Sequence, residues 1–262
     1  MKRSEINKAL KELEAMCARE HCYLPPFCNF TPEEWTTKGH EYDEVRDCML
    51  GWDITDYGLG DFDKVGMSLI TIRNGNRAMQ DKYPKVYAEK LQYMKEGQYS
   101  PNHFHWYKTE DIINRGGGNI LIRVYNSLPD ESIDKETDVT VHCDGRTYTV
   151  PAGTQVRLTP GESIHIQQYM YHDFEVESGT GAVLLGDQFQ FFHEIGDTGR
   201  YGAEIVVIQL LVFGRRMSHQ GAAGETQVGA CVIKYGVYQK IFLFPTQICI
   251  HAIIIRNRCL QQ

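Results

Sequence analysis

The sequence lacks the features that mark several common classes of protein. It has eight cysteines but no Cys-x-x-Cys pair, so we expect reduced thiols rather than a zinc cluster. The formal net charge of -7 argues against a nucleic-acid partner, because phosphate binding requires a basic surface. The apolar runs at 205–213 and 241–255 do not predict a membrane span, since the first is too short and Pro245 and His251 interrupt the second.

The N-terminal segment has an amphipathic pattern. Ser4 is suited to cap a helix whose apolar side carries Ile6, Leu10, Leu13 and Cys17. Charged residues run through this segment and no apolar stretch of the kind found in secretory signals follows it. The sequence therefore predicts an N-terminal helix and a cytoplasmic protein.

The segment that follows predicts two more helices and then an irregular loop. Thr31-Pro32-Glu33-Glu34 combines a cap, a proline at the first helical position and a capping-box glutamate. A third helix is expected at 41–50. Residues 51–63, GWDITDYGLGDFD, contain three glycines and four aspartates, so no regular element is expected there. This loop either covers a pocket or is a solvated connection.

From Gly66 onward the pattern changes to short extended runs separated by turns. The clearest turn is Asp144-Gly145, which predicts a two-residue hairpin. Strands are expected at 67–72, 86–94, 120–125, 139–143, 147–150, 155–158, 163–166 and 182–185. Many short strands without intervening helices predict an all-β protein, either a sandwich or a jelly-roll barrel.

A metal-binding pattern lies between Gly97 and Gly117. His103 and His105 are two residues apart, so on a strand both side chains would leave the same face. Glu110 follows a turn-like segment and can direct its carboxylate to the same point. Two imidazoles and a carboxylate suit a divalent metal with open coordination positions. The full spacing resembles the first metal motif of the cupins.

A fourth metal ligand is expected from a later strand, and two histidines are candidates. His172 follows a short turn and opens a new strand, so we favour it. His165 lies inside the strand that follows Pro160-Gly161 and can instead point outward. Lys90 is a further candidate site residue, because either it or Glu89 faces the barrel interior. A buried lysine can stabilise an oxyanion or transfer a proton, whereas a surface lysine would have neither role.

Several segments together resemble one family of cupin sugar isomerases. They are MKRSEIN at the start, LPPF at 24–27, GWDITDYGLGDF at 51–62, LITIRNG at 69–75, YAEK at 87–90, HFHWYKTEDIINRGGG at 103–118 and YNSLPDE at 125–131. They resemble the D-lyxose isomerase (D-lyxose ketol-isomerase) family over residues 1–186.

The resemblance implies a metal-dependent aldose–ketose isomerase that interconverts D-lyxose with D-xylulose and D-mannose with D-fructose. It implies a cupin jelly-roll barrel with N-terminal helices, a cytosolic homodimer, and Mn²⁺ as the metal, with Zn²⁺, Co²⁺ or Fe²⁺ as alternatives. The expected partner is a pentose or hexose, with no nucleic acid and no membrane. Carried over residue by residue, the metal ligands fall on His103, His105, Glu110 and His172, and the active-site lysine falls on Lys90.

The chain departs from the family pattern at two places. Gln168-Tyr169 replaces the Pro-Gly that precedes the last histidine of the family. The acidic segment that supplies a catalytic glutamate in the family has no counterpart after Gly186-Asp187, which leaves the second acid–base group unassigned. Transfer of a proton and a metal-assisted hydride shift both remain open for the chemical step.

The sequence predicts three regions and leaves two alternative functions open. We expect an N-terminal arm and loop at 1–65, a cupin barrel with the metal site at 66–200, and an atypical extension of uncertain structure at 201–262. The extension carries two acidic and six basic side chains. The alternatives to an isomerase are a cupin dioxygenase and a catalytically impaired sugar-binding protein.

Overall fold

The structure is a computed structural model that describes residues 1–191, so the extension predicted at 201–262 lies outside the described residues. Its α-helices are α1 (Arg3–Arg19), α2 (Pro32–Thr36) and α3 (Asp43–Asp47), with 3-10 turns at Pro26–Asn29, His40–Tyr42 and Arg77–Met79. None of the helices in this part of the chain is long and apolar enough to cross a bilayer. The three predicted regions remain a prediction.

The helical arm follows its sequence signals in part. At the start of α2, Thr31 Oγ1 accepts from the Glu34 amide at 3.1 Å and the Thr31 amide donates to the Glu34 carboxylate at 2.7 Å, which is the predicted capping box. The helix predicted at 41–50 is shorter than expected. It begins after a 3-10 turn and ends before Met49, whose φ of 55° is incompatible with a continuing α-helix.

Thirteen strands make up most of the remaining described chain. They are β1 (Gly51–Thr55), β2 (Met67–Arg73), β3 (Tyr87–Met94), β4 (Tyr99–His103), β5 (Lys108–Gly117), β6 (Ile120–Ser127), β7 (Ile133–Asp134), β8 (Val139–Cys143), β9 (Arg146–Val150), β10 (Gln155–Leu158), β11 (Ser163–Ile166), β12 (Tyr171–Val176) and β13 (Val183–Phe191).

The strands form two antiparallel sheets that face each other. The larger has the order β1-β2-β3-β13-β5-β11-β8-β9 and the smaller the order β10-β6-β12-β4, with β7 paired to β6. The hairpin of β8 and β9 turns at Asp144 and Gly145, whose φ values are 49° and 75°, as a two-residue hairpin turn requires. The prediction of an all-β cupin jelly-roll barrel with N-terminal helices is confirmed.

The barrel interior is filled from both sheets. Ile112 and Leu185 of the larger sheet and Ile122, Val156 and Phe174 of the smaller sheet belong to one buried apolar cluster. Strands β3, β12 and β13 contribute both to this cluster and to the set of buried polar side chains. The core thereby fixes where those polar side chains meet.

The outer face of one half of the larger sheet is covered by α1. Leu13 and Met16 of this helix pack with Ile70, Leu91 and Leu184 from three neighbouring strands. Strands β2, β3 and β13 are therefore buried on both faces in this region. This double burial explains why MSLITI in β2 is buried throughout and lacks the alternation of a half-exposed strand.

The expectation that residues 51–63 form no regular element is wrong for Gly51–Thr55. These residues form β1, which pairs antiparallel with β2 from Gly51 opposite Thr71 to Thr55 opposite Met67. All five are buried, including Asp53, whose carboxylate faces the polar part of the barrel near Lys90. In a sequence, an aspartate favours a loop over a strand. Asp53 lies in a strand because its side chain is accommodated inside the barrel.

Candidate metal centre

The four predicted ligands come together at one end of the barrel. Their ligand atoms, one from each of His103, His105, Glu110 and His172, all lie within 4.8 Å of one another. His103 and His172 face each other directly across the β4–β12 pair, and their ring centroids are 4.2 Å apart. Within the described residues, no other group of three or more such side chains meets this spacing.

The histidine rings are oriented by backbone carbonyls. His103 Nδ1 lies 2.7 Å from the Pro101 carbonyl oxygen and His172 Nδ1 lies 3.1 Å from that of Met170. Each ring thus donates from Nδ1 to the residue two positions earlier and presents the lone pair of Nε2 to the centre. Such a bond is the usual way a protein fixes the tautomer of a metal-binding histidine.

The donor atoms fit a divalent metal. The Nε2 atoms of His105 and His172 are buried and make no hydrogen bond of good geometry to any described residue, although Glu110 Oε1 lies 3.3 and 2.9 Å away. Buried polar atoms are almost always satisfied. Three imidazoles and one carboxylate around a common point suit Mn²⁺, Fe²⁺, Co²⁺ or Zn²⁺.

Three of the four ligands have pKa values shifted towards the protonation states that metal binding requires. Burial, followed by the neighbouring rings of His172 and His105, holds the pKa of His103 well below its usual value. Burial and then the Lys108 ammonium lower the pKa of His105 to about 4. Burial alone would raise the pKa of Glu110, but Lys108 and His105 hold it well below the usual value. Neutral imidazoles and an ionised carboxylate are the metal-binding forms.

Two local features of the backbone aim the ligands. The β4–β12 register shifts between His103 opposite His172 and Ser100 opposite Phe174, which places two residues of β4 opposite one residue of β12. This bulge lets Ser100 and His103 both face the interior.

His105 is not on the same strand as His103, because β4 ends at His103. The prediction of one strand face for both histidines is therefore wrong, although both reach the site.

The turn before His172 survives the replacement of the family's Pro-Gly. Tyr169 takes a φ of 62°, a conformation that costs a residue with a side chain about 1–2 kcal/mol. Its amide donates to the His105 carbonyl at 2.9 Å, and the Met170 amide donates to that of Gln167 at 3.2 Å. These bonds connect the loop that carries His105 to the start of β12.

A polar group on the inner face of the larger sheet lies beside the ligands. Lys90 on β3 pairs with Asp187 on β13, and Asp187 in turn pairs with Ile112 on β5. Burial, partly opposed by Asp187, lowers the pKa of Lys90. The Lys90 ammonium also lies 5.2 Å from the ring centroid of Phe189. Lys90 thus faces the interior, and Glu89 turns outward to pair with Arg73.

Asp187 is a buried carboxyl group that interacts with the ligand Glu110. It hydrogen-bonds to Glu110 and accepts from Gln92 Nε2 at 2.8 Å. Burial and then the negative charge of Glu110 raise the pKa of Asp187 to about 6. A carboxyl group with this pKa is able to gain and lose a proton near neutral pH.

The sequence matches one known protein family over most of its length. The family model described as D-lyxose isomerase matches residues 1–197. The chain belongs to the D-lyxose isomerase family. The D-lyxose/D-mannose isomerases of Serratia proteamaculans and Escherichia coli O157:H7 are 44% and 43% identical to it over 188 residues, which cover 71% of this chain and 82% of each relative.

Among solved structures, a variant of L-ribose isomerase from Acinetobacter sp. DL28 in complex with L-ribose matches with a TM-score of 0.48 and 14% identity, over 74% of this chain and 83% of that one. That likeness is too distant to support an argument about function. Membership of the family confirms the predicted class of enzyme, an aldose–ketose isomerase.

The structure distinguishes the two histidines that the sequence left open. His172 is fully buried in the ligand group, whereas His165 lies on the outer face, with Nδ1 2.8 Å from Asp111 Oδ1. The remaining histidines near the C-terminus, His193, His219 and His251, lie outside the described residues.

Sequence reasoning missed two side chains at the site. Lys108 contacts the carboxylate of Glu110, and its position two residues earlier on the same strand was a usable signal. Asp187 had no such signal, because its place depends on the pairing of β13 between β3 and β5. The acid–base group that the sequence left unassigned thus has a candidate only in the folded chain.

Proposed function

We propose that this protein is a metal-dependent isomerase that interconverts D-lyxose with D-xylulose and D-mannose with D-fructose. The convergence of His103, His105, Glu110 and His172 is the observation that carries the proposal. The D-lyxose/D-mannose isomerases at 43–44% identity support the choice of sugars. We further propose Mn²⁺ as the metal, a homodimer as the assembly and the cytoplasm as the location.

The four ligands would hold the metal inside the barrel. When bound, the metal supplies Lewis-acid stabilisation of the negative charge that develops on the sugar's carbonyl oxygen. His103 and His172 direct Nε2 inward because their Nδ1 atoms are engaged by the backbone. Glu110 and His172 are buried, so electrostatic interactions at this point are screened less than at the protein surface.

Lys90 and Asp187 are the proposed acid–base groups. Aldose–ketose interconversion moves hydrogen between C1 and C2, so it needs one group that accepts a proton and one that assists the oxygen. In our proposal the Asp187 carboxylate takes the proton from C2 and returns it to C1. As C2 loses its proton, Lys90 Nζ donates a proton to the C1 oxygen to give an enediol, and as C1 is protonated Lys90 recovers a proton from the C2 hydroxyl, which becomes the carbonyl. The Lys90 ammonium also stabilises the ionised form of Asp187. Their pairing across β3 and β13 supports this division of roles.

The test is an assay of the metal-stripped and reloaded protein. We expect the conversion of D-lyxose to D-xylulose to stop on chelation and to return with Mn²⁺, in air and under nitrogen alike. Asp187→Asn should retain its metal and lose about 10²–10⁴-fold in kcat. Sugar binding without turnover would indicate a binding protein, and turnover that requires oxygen would indicate a dioxygenase; either result contradicts the proposal.

A further inference from the structure

The loop after β1 closes the seam between the two sheets. Strands β1 and β4 are edges of the larger and the smaller sheet, respectively. Residues at the end of the loop bind the second edge, since the Gly66 amide donates to the Tyr99 carbonyl at 3.3 Å and the Tyr99 amide donates to that of Lys64 at 2.9 Å. The sequence left open whether this loop covers a pocket or is a solvated connection. These contacts favour a loop that covers the interior.

Tyr57 in this loop has a strained backbone. Its φ is 53°, which is uncommon for a bulky residue. The conformation is fixed because the Tyr57 amide donates to Thr55 Oγ1 at 3.0 Å and the next amide, of Gly58, donates to Asp56 Oδ1 at 2.9 Å. Strain of this kind persists only where the surroundings enforce it, and it concentrates at functional sites.

The strained conformation delivers the Tyr57 side chain to the barrel interior. The ring packs against the inner apolar cluster, and its hydroxyl lies 2.8 Å from Ser100 Oγ. Ser100 is itself fully buried. It pairs with Phe174 of β12, and the next residue pair along these two strands is His103 with His172. The two hydroxyls therefore lie on the same inner wall as two metal ligands.

The Tyr57 hydroxyl also interacts with the carboxylates of the site. Burial raises the pKa of Tyr57, and the negative charges of Glu110 and Asp187 raise it further. Ser100 lies three positions before His103 along β4, which is at most ~10 Å at about 3.3 Å per residue. An open-chain pentose whose carbonyl end lies at the metal has a comparable reach.

We propose that the hydroxyl groups of Tyr57 and Ser100 bind those sugar hydroxyls that lie away from the metal, and thereby contribute to the choice of substrate. This inference rests on the proposed sugar isomerase function. Tyrosine and serine hydroxyls each donate and accept a hydrogen bond, which matches a polyol chain. A site built to bond a hydroxyl discriminates against the analogue that lacks it.

The first experiment removes the Tyr57 hydroxyl and retains the ring. We expect the Mn²⁺-loaded variant Tyr57→Phe to bind D-arabinitol, the reduction product of D-lyxose, about 3- to 10-fold more weakly by calorimetry. KM for D-lyxose should rise by a similar factor with kcat little changed. Ser100→Ala, which leaves the strained loop unaltered, should give the same pattern if Tyr57→Phe folds poorly.

Tyr93→Phe is the matched control. Tyr93 is buried on β3 and belongs to the cluster under α1 on the opposite face of the sheet. Loss of this hydroxyl should leave polyol binding and KM at wild-type values. An equal weakening in the control and in Tyr57→Phe would overturn the proposal, because it would reflect a general effect of removing a buried hydroxyl.

The second experiment identifies the hydroxyl by a cycle of variants and analogues. The wild type should bind either 4-deoxy- or 5-deoxy-D-lyxose more weakly than D-lyxose, and Tyr57→Phe should not distinguish that analogue from D-lyxose. The substitution Tyr57→Phe and the removal of the sugar hydroxyl each weaken binding. If these two losses of binding free energy are fully additive in a protein that isomerises D-lyxose, this inference alone is overturned. If polyol binding depends on Tyr57 but the protein shows no turnover, this inference stands and the proposed isomerase function is rejected. Absence of sugar and polyol binding would overturn both.

Discussion

Two pairs of histidines face each other across antiparallel strands in this barrel. His103 and His172 pair between β4 and β12, and His142 and His165 pair between β8 and β11. The inner rings are 4.2 Å apart and the outer rings are 6.5 Å apart. The apolar alternation of each strand matches these faces, since His165 lies between the buried Ile164 and Ile166 and His172 shares its face with the buried Phe174.

The difference lies in what each Nδ1 atom contacts. In the inner pair both contact backbone carbonyls. In the outer pair His142 contacts Thr147 Oγ1 at 2.9 Å and His165 contacts the carboxylate of Asp111 at 2.8 Å. A backbone partner leaves Nε2 as the only free donor to a metal, whereas the outer side chains are partly solvated. The comparison teaches that burial and orientation, rather than proximity of two imidazoles, make a metal site.

The largest expected effect separates the two pairs directly. We expect His172→Ala to lose bound metal and on the order of 10³-fold in kcat/KM, since Lewis-acid stabilisation is worth several kcal/mol. His165→Ala should retain both, because its side chain does not reach the interior. Elemental analysis of the purified variants and the isomerase assay provide the measurements. Comparable losses in the two variants would contradict the assignment.

A second contrast uses neighbours on opposite faces of β3. Lys90→Ala should retain stoichiometric metal and lose about 10²–10⁴-fold in kcat, as expected for a positioned acid–base group. Glu89→Gln is the control, because Glu89 pairs with Arg73 on the outer face. Metal content and kcat are measured together. A near-normal rate for Lys90→Ala would remove Lys90 from the mechanism.

A third prediction concerns the pH dependence of the metal-free protein's stability. The pKa of His105 is about 4 in the folded chain against 6.5 ordinarily. Between these values the unfolded chain binds more protons, so stability rises with pH and is lost as the pH falls from about 6.5 towards 4. This group corresponds to about 3 kcal/mol. Urea unfolding should give a shallower pH dependence for His105→Gln, and an unchanged one would exclude the effect.

The smallest expected effect concerns the exposed ion pair of the outer face. Asp111→Asn removes the partner of His165, in a pair whose side chains are 39% and 51% exposed. We expect a change of at most about 0.5 kcal/mol in the free energy of unfolding and normal metal content. Glu110→Gln, one residue earlier and facing inward, should lose its metal. Chemical denaturation and metal analysis of both variants test this contrast.

Much of the fold was predictable from local pattern. The strands at 155–158 and 163–166 and the Asp144-Gly145 hairpin occur where hydrophobic alternation and turn residues place them. The exceptions have tertiary causes. Strand β1 contains a buried aspartate that takes part in the polar interior, and β13 extends to Phe191, beyond the predicted 182–185, because it pairs on both sides.

From residue spacing alone, the candidate site was predictable only where its residues are close in sequence, and the family resemblance added Lys90 and His172. The spacing of His103, His105 and Glu110 indicated a shared metal, because that arrangement is local. Asp187 and Tyr57 reach the site from segments that are distant in sequence, through a central strand and a strained loop respectively. No periodicity in the sequence encodes such long-range pairing.

The sequence by itself determined the all-β class, the ligand types and the family, because each depends on residue chemistry and short spacings. Only the tertiary structure decided which carboxyl group lies beside Lys90 and what the loop after β1 covers. Those outcomes depend on sheet order, register and face. A shift of one residue in register would reverse every side chain between the polar interior and the solvent.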